Sequence, residues 1–422
     1  MNSFFRKIKT LVTDRTLRNR VLFVVGALFI FRLLASIPVP GVDATRISQV
    51  LSGNQFFGVF NALSGGGLSN FSIVMLGIGP YITASIIMQL LSMMVPRLKE
   101  LMQESGELGR KKFNQYVRLL TLPLAALQAF SFIKYLQSQG AVDALSLNAL
   151  VTNIIIIVGG SMLLLWIGEL INEFGIGNGT SMIIMAGILS VMPSKIAQLL
   201  FTLTIDQLPM ILLYIAIGLL VIAGVVYIYE AERPVQVTYA RAVRGIRTIG
   251  GTSTYLPLRL AQAGVMPIIF ASSLLLFPQF LSGVFLNSSR EVLQNIGTAL
   301  TTFLQTQWLY ALVYFVLVVF FTYFYTAVTF DPKQIATNLQ KNGAFIPGIR
   351  PGDATMNYLA TIVTRITLVG SIFLGLVAVL PLIIQSATGI TAFAIGGTSL
   401  LIVVSVVIDL IRKVDAQIAL HE

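Results

Sequence analysis

The chain is predicted to be an all-α, polytopic membrane protein of ten transmembrane helices, arranged as two inverted five-helix halves with a re-entrant segment before the second helix. Three observations lead there. Hydrophobic residues make up 56% of the 422 positions and charged residues 11%, and the mean hydropathy is +0.85, a surface that water could not solvate. Apolar runs of spanning length recur along the whole chain, and in hydrocarbon such runs must bond their own backbone as helices. The basic residues fall almost entirely in alternate connections, 22 on one side against Arg46, Lys195 and Arg290 on the other.

Taken in order, the spans cover roughly 21–37, 71–95, 117–136, 150–171, 181–200, 208–229, 261–281, 308–330, 357–384 and 391–411. No small-residue cleavage site follows the first, so no cleavable signal is expected. Between the first two spans, Phe56 to Leu63 is apolar but too short to cross a bilayer. The triplet Gly65 to Gly67 breaks any helix there, because glycine loses the most backbone freedom on ordering. Phe71 to Val95 then runs without a charged residue, about 37 Å as a helix against a hydrocarbon core of roughly 30 Å. A short apolar piece hinged by glycines onto a spanning helix reads as a re-entrant stopper in a pore, tolerated at that depth only inside protein or a water-filled cavity.

The basic-residue bias places both termini in the cytoplasm. Arg32 and Lys134 lie near outer span ends, where long stems can snorkel to headgroups. Arg365 is placed at the inner interface, since a cation at a helix centre costs about 2.5–3.5 kcal/mol on insertion scales. Ten spans divide at about residue 205 into halves 1–205 and 206–422. Five spans per half force the second half to start from the opposite side, so related halves must be inverted. The cytoplasmic connection 230–260 alternates arginines with β-branched and aromatic residues, as a protruding hairpin would, and 331–353 adds Lys333, Lys341 and Arg350. Such arginines either dock an acidic or RNA-bearing partner or only fix topology.

Several chemistries are excluded. There is no cysteine, and the single histidine is His421, so disulfides, Cys/His zinc sites and Ser-His or Cys-His nucleophile pairs are ruled out. Glu169, Glu230, Asp331 and Asp409 sit at inner span ends and no acid falls at a midplane, which argues against a proton relay or paired-aspartate protease. No phosphate loop of the Gly-x-x-x-x-Gly-Lys-Ser/Thr type occurs. Gly175, Gly177 and Gly179 follow a spanning helix instead of a strand, so they form a tight inner turn, with Thr180 or Ser181 expected to cap span 5. No cofactor, metal or catalytic residue is expected.

Ile78, Ile82 and Ile86 recur every four residues in span 2, and Ile184 and Ile188 repeat the step in span 5. Such stripes face lipid, neighbouring helices or a pore, and periodicity does not choose between them. Ser85, Gln89 and Ser92 form a polar seam beside the first stripe, and hydroxyls and amides in spans generally seek interhelical partners. On the residues alone, a solute transporter with inverted repeats stays open, since sodium can be held by carbonyls and hydroxyls.

The segments FNALSGGGLSNFSIVMLGIGPYITASIIMQLL (60–91), GIGNGTSMIIMAGI (175–188), AGVMPIIFASSLLLFP (263–278), GAFIPGIRPG (343–352) and GGTSLLIVV (396–404) resemble the SecY family of protein-translocation channels, in order and across all ten spans. The resemblance implies two halves clamped around an hourglass pore that opens sideways between spans 2–3 and 7–8. It implies a constriction lined by Ile78, Ile82, Ile184, Ile188, Ile269 and Ile402. The plug would be roughly 57–70, with Phe57, Phe60, Leu63, Gly65, Gly66 and Leu68. A lateral gate would involve Ser85, Ile86, Gln89, Ser272 and Ser273. Arg241, Arg247 and Arg350 would receive a SecA ATPase or a translating ribosome. Small SecE-like and SecG-like membrane subunits, signal-bearing preproteins and membrane lipids would complete the partners, in a bacterial cytoplasmic membrane. Energy would come from those partners, so no enzyme activity is implied.

Overall fold

The computed structural model describes residues 13–40, 61, 64, 66–68, 70–104, 106–138, 140–143, 145–202, 208–239, 242–244, 247–249, 253–286, 290–388 and 396–421. Helix α1 (Arg15–Leu34) opens on Asp14, whose carboxylate accepts from Thr16 N at 2.8 Å. Its buried residues Leu17, Val24, Ala27 and Phe31 share one face.

Helix α2 (Gly79–Met94) is shorter than the sequence predicts. Residues 72–79 close on themselves by i→i+3 bonds, from Met75 to Ser72, Gly77 to Val74 and Gly79 to Leu76 at 3.0, 2.8 and 3.1 Å. Gly77 takes φ 55 there, a conformation only glycine adopts without strain. The α2 helix proper is therefore about 24 Å long. Pro96, which has no N–H to donate, ends it. The chain turns by 117° between Gly79–Met94 and Pro96–Met102, through α3 (Pro96–Lys99) and a π turn at Glu100–Glu104.

Then follow α4 (Gly106–Ser138), α5 (Leu147–Phe174), α6 (Gly179–Thr202) and α7 (Leu208–Glu230). Strands β1 (Glu232–Tyr239), β2 (Ala242–Arg244), β3 (Arg247–Ile249) and β4 (Ser253–Arg259) fill the next connection. Strands β1 and β4 pair antiparallel and β2–β3 form a small hairpin, as the alternating pattern predicts. Helices α8 (Met266–Leu286), α9 (Glu291–Gln305), α10 (Gln307–Thr329) and α11 (Pro332–Lys341) precede strand β5 (Ala344–Phe345), and α12 (Asp353–Thr388) and α13 (Gly396–His421) complete the chain.

Two connections hold more structure than expected. The stretch after α8 carries the amphipathic α9. The 331–353 stretch carries α11, capped by Asp331, which accepts from Lys333 N and Gln334 N at 2.9 and 3.2 Å. Strand β5 adds to β1, so both arginine-bearing connections share one sheet of order β4-β1-β5. Val235, Val237 and Leu258 from the first pack with Ile346 of the second and Leu359, Ile362 and Val363 of α12.

Among the described residues, Gly106–Gln137, Leu147–Phe174, Gln307–Lys341 and Asp353–Ile384 are long and apolar enough to cross a membrane, and the bent pair at α2 makes five. Gly179–Ser194, Ile215–Glu230 and Met266–Leu275 are apolar but shorter. By length and composition, these helices fall short of the ten spans drawn from the sequence. The largest apolar core runs from α1, α2, α5 and α6 across α7, α8, α10, α12 and α13. No charged side chain is buried among the described residues.

Candidate functional site: an isoleucine constriction

Four helices carry the six isoleucines. Ile78 caps the N-terminus of α2 and Ile82 sits one turn in; Ile184 and Ile188 lie on α6, Ile269 on α8 and Ile402 on α13. The four-residue steps put 78 with 82, and 184 with 188, on single faces. All six belong to one contiguous apolar cluster, in which five are 1–4% exposed and Ile82 is half-buried. Of the alternatives open to the stripes, the lipid-facing one is thus lost for Ile78, Ile184 and Ile188.

On the side of the basic loops, a cavity of about 140 Å³ opens directly against Ile82, Ile184 and Ile269. Its remaining wall is mixed, with Ser85, Gln89, Asn172, Asn178, Thr180 and Ser181 beside Tyr81, Met266, Phe270 and Tyr325. Gln89 Nε2 donates to Ser85 Oγ at 3.0 Å, and Ser92 Oγ donates to the Gln89 carbonyl at 2.7 Å. Gln89 Oε1 is buried without a partner. Ile86 is buried in the apolar cluster. Ser272 donates to Ile269 O at 2.9 Å within its own helix, and Ser273 is 4% exposed. Helix α8 packs against both α2 and α4.

The two asparagines of this wall were not singled out by the sequence reading. The expected cap at Thr180 or Ser181 is corrected: Asn178 Oδ1 accepts from Thr180 N, Thr180 Oγ1 and Ser181 N at 3.1, 2.7 and 3.5 Å. Asn172 Oδ1 accepts from Gly179 N at 2.8 Å, tying the end of α5 to the start of α6. Here the backbones touch: a Cβ on Gly179 would stand 1.9 Å from Gly168 O. Arg118 of α4 pairs with Glu169 of α5 nearby. An amide at each end of a glycine-rich interhelical turn was the available signal for these residues.

Of the plug positions, Phe57, Phe60, Leu63 and Gly65 lie outside the described residues. Gly66 adopts φ 78 and donates to Asn61 O at 2.8 Å. Leu68 is fully buried beside Phe71, Met75, Phe132 and Leu136. Val191 fixes where this turn stands. It continues the Ile184–Ile188 face of α6 one turn further, and its Cγ2 lies 3.7 Å from a Cβ built on Gly66. The glycine turn thus sits about 5 Å beyond the isoleucines, on the side away from the cavity.

Among the docking residues, Arg241 lies outside the described residues and Arg247 starts β3. Arg350 is exposed, with its carbonyl accepting from Thr355 Oγ1 at 2.9 Å.

Long apolar helices packed around one extended apolar core, with a cavity lined by Ile82, Ile184 and Ile269, define a polytopic helical membrane protein. The comparisons agree. A family profile described as SecY matches residues 72–411. Protein translocase subunit SecY of Thermus thermophilus is 44% identical over 415 residues, covering 96% of this chain and 93% of that one. The Escherichia coli K12 protein of the same name is 41% identical over 413 residues, covering 94% and 91%. A solved protein-conducting channel superposes with a TM-score of 0.63 at 20% identity, covering 96% of this chain and 93% of that chain, which shows the shared fold. The chain belongs to the SecY family.

Proposed function

We propose that this protein is the central channel of a bacterial Sec translocase. It passes unfolded secretory proteins across the cytoplasmic membrane and releases transmembrane segments sideways into the lipid. In this reading ten spans form halves 1–205 and 206–422 with both termini cytoplasmic, and the basic loops therefore face the cytoplasm. The curated relatives are named translocase subunits. The observation that supports the reading is that the six isoleucines, from four helices, belong to one apolar cluster, with a cavity against Ile82, Ile184 and Ile269 and the Gly66 turn beside Val191, one helical turn past Ile188.

The physics suits a conduit without sequence preference. Branched aliphatic side chains close around any polypeptide and make no hydrogen bonds that would hold one segment longer than another. An apolar constriction also stops water and ions by dewetting. A carboxylate at the same place would retain cationic segments, and none is buried among the described residues. A signal sequence is an apolar helix, so it can fill the gap between α2 and α8. It opens the channel to the extent that it binds the open form better than the closed one.

In this reading the segment 57–70 is the plug that seals the channel at rest. Energy is supplied by SecA or a translating ribosome docking at Arg241, Arg247 and Arg350, with SecE-like and SecG-like subunits clamping the halves. The protein itself is not an enzyme and needs no cofactor.

The test is to stall a secretory chain in reconstituted translocase carrying Ile78→Cys, Ile184→Cys or Ile402→Cys and a cysteine in the chain. Crosslinks from all three positions are expected, none from a lipid-facing control such as Leu220→Cys. Equal crosslinking from position 220 and the three isoleucine positions would overturn the reading.

A further inference from the structure

Arg32, in the last turn of α1, does not behave as a side chain reaching only for headgroups. Its Nη1 donates to Ser190 Oγ on α6 at 3.1 Å. Ser190 in turn donates to Gly187 O at 2.7 Å. The serine hydrogen is thereby engaged within α6, and its oxygen is left to accept from the guanidinium. The same Nη1 lies 3.6 Å from a Cβ built on Gly66, with Val191 Cγ2 at 3.7 Å on that position too. The guanidinium and Val191 thus both close over Gly66, one turn beyond the isoleucine waist.

The turn beneath is itself well formed. Gly66 N donates to Asn61 O and Gly66 O accepts from Asn70 N, at 2.8 and 3.3 Å; Leu68 N donates to Ser64 Oγ at 3.2 Å. Gly66 takes φ 78, and Gly67 has no room for a side chain, since a Cβ there would stand 2.8 Å from Ser72 Oγ and 3.0 Å from Ser64 O. On its other side the turn is anchored by Leu68, fully buried among Phe71, Met75, Phe132 and Leu136.

We propose that Arg32 is a positioning residue for the plug, bridging α1 to Ser190 of α6 across the Gly66 turn and keeping that turn beneath the constriction until a chain enters. Arginine suits the task because its planar, always-charged fork can bond one partner while covering a second surface; lysine offers only a point charge on a flexible stem. The inference rests on the channel reading above, and it assigns the resting seal to a residue outside the isoleucine waist.

The test uses the complete translocase in proteoliposomes and reads resting ion leak and preprotein translocation. Arg32→Gln should raise the leak about tenfold, equivalent to ~1.4 kcal/mol. Ser190→Ala should raise it less, and Arg32→Lys should fall between wild type and Arg32→Gln. Each substitution is repeated in a channel lacking residues 57–67, where none should add to the leak already present. Additive leak in that background would mean that Arg32 acts on the bundle and not on the plug, and would overturn the proposal. If Arg32→Gln does not assemble, Ser190→Ala and Arg32→Lys decide by the same comparison. A wild-type protein that moves no preprotein would defeat the channel reading. One that does, with unchanged leak in the variants that assemble, would defeat the Arg32 assignment alone.

Discussion

Gly179→Ala tests how the waist is held. A Cβ at Gly179 would lie 1.9 Å from Gly168 O, 2.7 Å from Gly168 C and 3.0 Å from its Cα. All three are backbone atoms of α5, so no side chain can swing away to make room. Normal C···O contact begins near 3.3 Å, so the start of α6 must retreat by about 1.4 Å. Overpacking of this kind costs typically 1–3 kcal/mol. The retreat also breaks the Gly179–Asn172 bond of 2.8 Å. Helix α6 carries Ile184 and Ile188, only five and nine residues on, and moves them with it. A gap of 0.5–1 Å already forfeits a quarter to a half of a dispersion contact, so the apolar closure fails. Gly179→Ala should therefore lower the thermal midpoint of the purified protein and raise resting ion leak together, measured by a thermal melt and by ion efflux from proteoliposomes. Unchanged melting and unchanged leak would refute the reasoning, because the close approach of α5 and α6 could then not be what sets the proposed isoleucine constriction.

Adjacent glycines on α5 should behave oppositely. Gly160→Ala places a Cβ 2.0 Å from Ile73 O and should disturb the turn leading into α2, whereas Gly159→Ala meets nothing within 4 Å and should be tolerated; thermal melts of the two variants decide. Ile82→Asn or Ile402→Asn should loosen the closed channel, raising ion leak and passing preproteins with defective signals. Wild-type selectivity in both would remove those residues from the constriction. Asp331→Ala removes the two capping bonds of α11 and should cost about 1 kcal/mol of local stability, read as faster amide exchange in 333–336 with the bundle unaffected.

The helices were legible wherever an apolar run set their length, and illegible where backbone geometry did. Phe71–Val95 carries no charge, so hydropathy reads it as one helix. What stops the helix short of Gly79 is a set of i→i+3 bonds and the positive φ of Gly77, which hydropathy does not register. Helix α11 was hidden because its ten residues are mostly polar, although Asp331-Pro332 is a recognisable helix start. The isoleucine stripes were visible as spacing. That all six end in one apolar cluster depends on how α2, α6, α8 and α13 pack, which spacing alone does not give. Val191 was within reach of the same spacing argument, seven residues after Ile184. Asn172 and Asn178 were within reach only as amides flanking a glycine-rich turn, and Ser190 was not, because its bond to Arg32 depends on how α1 packs on α6.

The placement of hydrogen bonds suggests how such a molecule can be firm and still part along one seam. The glycine contacts of Gly160 with Ile73 and of Gly179 with Gly168 lie inside the first proposed half. So do the bonds of Arg32 to Ser190 and of Gln128 to Thr83, the latter at 3.4 Å. Gln307 to Leu382 O and Arg412 to Tyr229 O, at 2.9 and 2.7 Å, lie inside the second. Across the seam, Ser85 is already paired with Gln89 on α2 and Ser272 with Ile269 on α8. Drawing α2 away from α8 leaves those bonds intact, and so avoids the penalty of stranding a polar group in hydrocarbon, which is several kcal/mol each. What must be given up is apolar contact, and an incoming apolar helix restores that in kind. In the proposed gate the serines would act by being satisfied within their own helices, since a seam bridged by interhelical bonds would resist an entering helix.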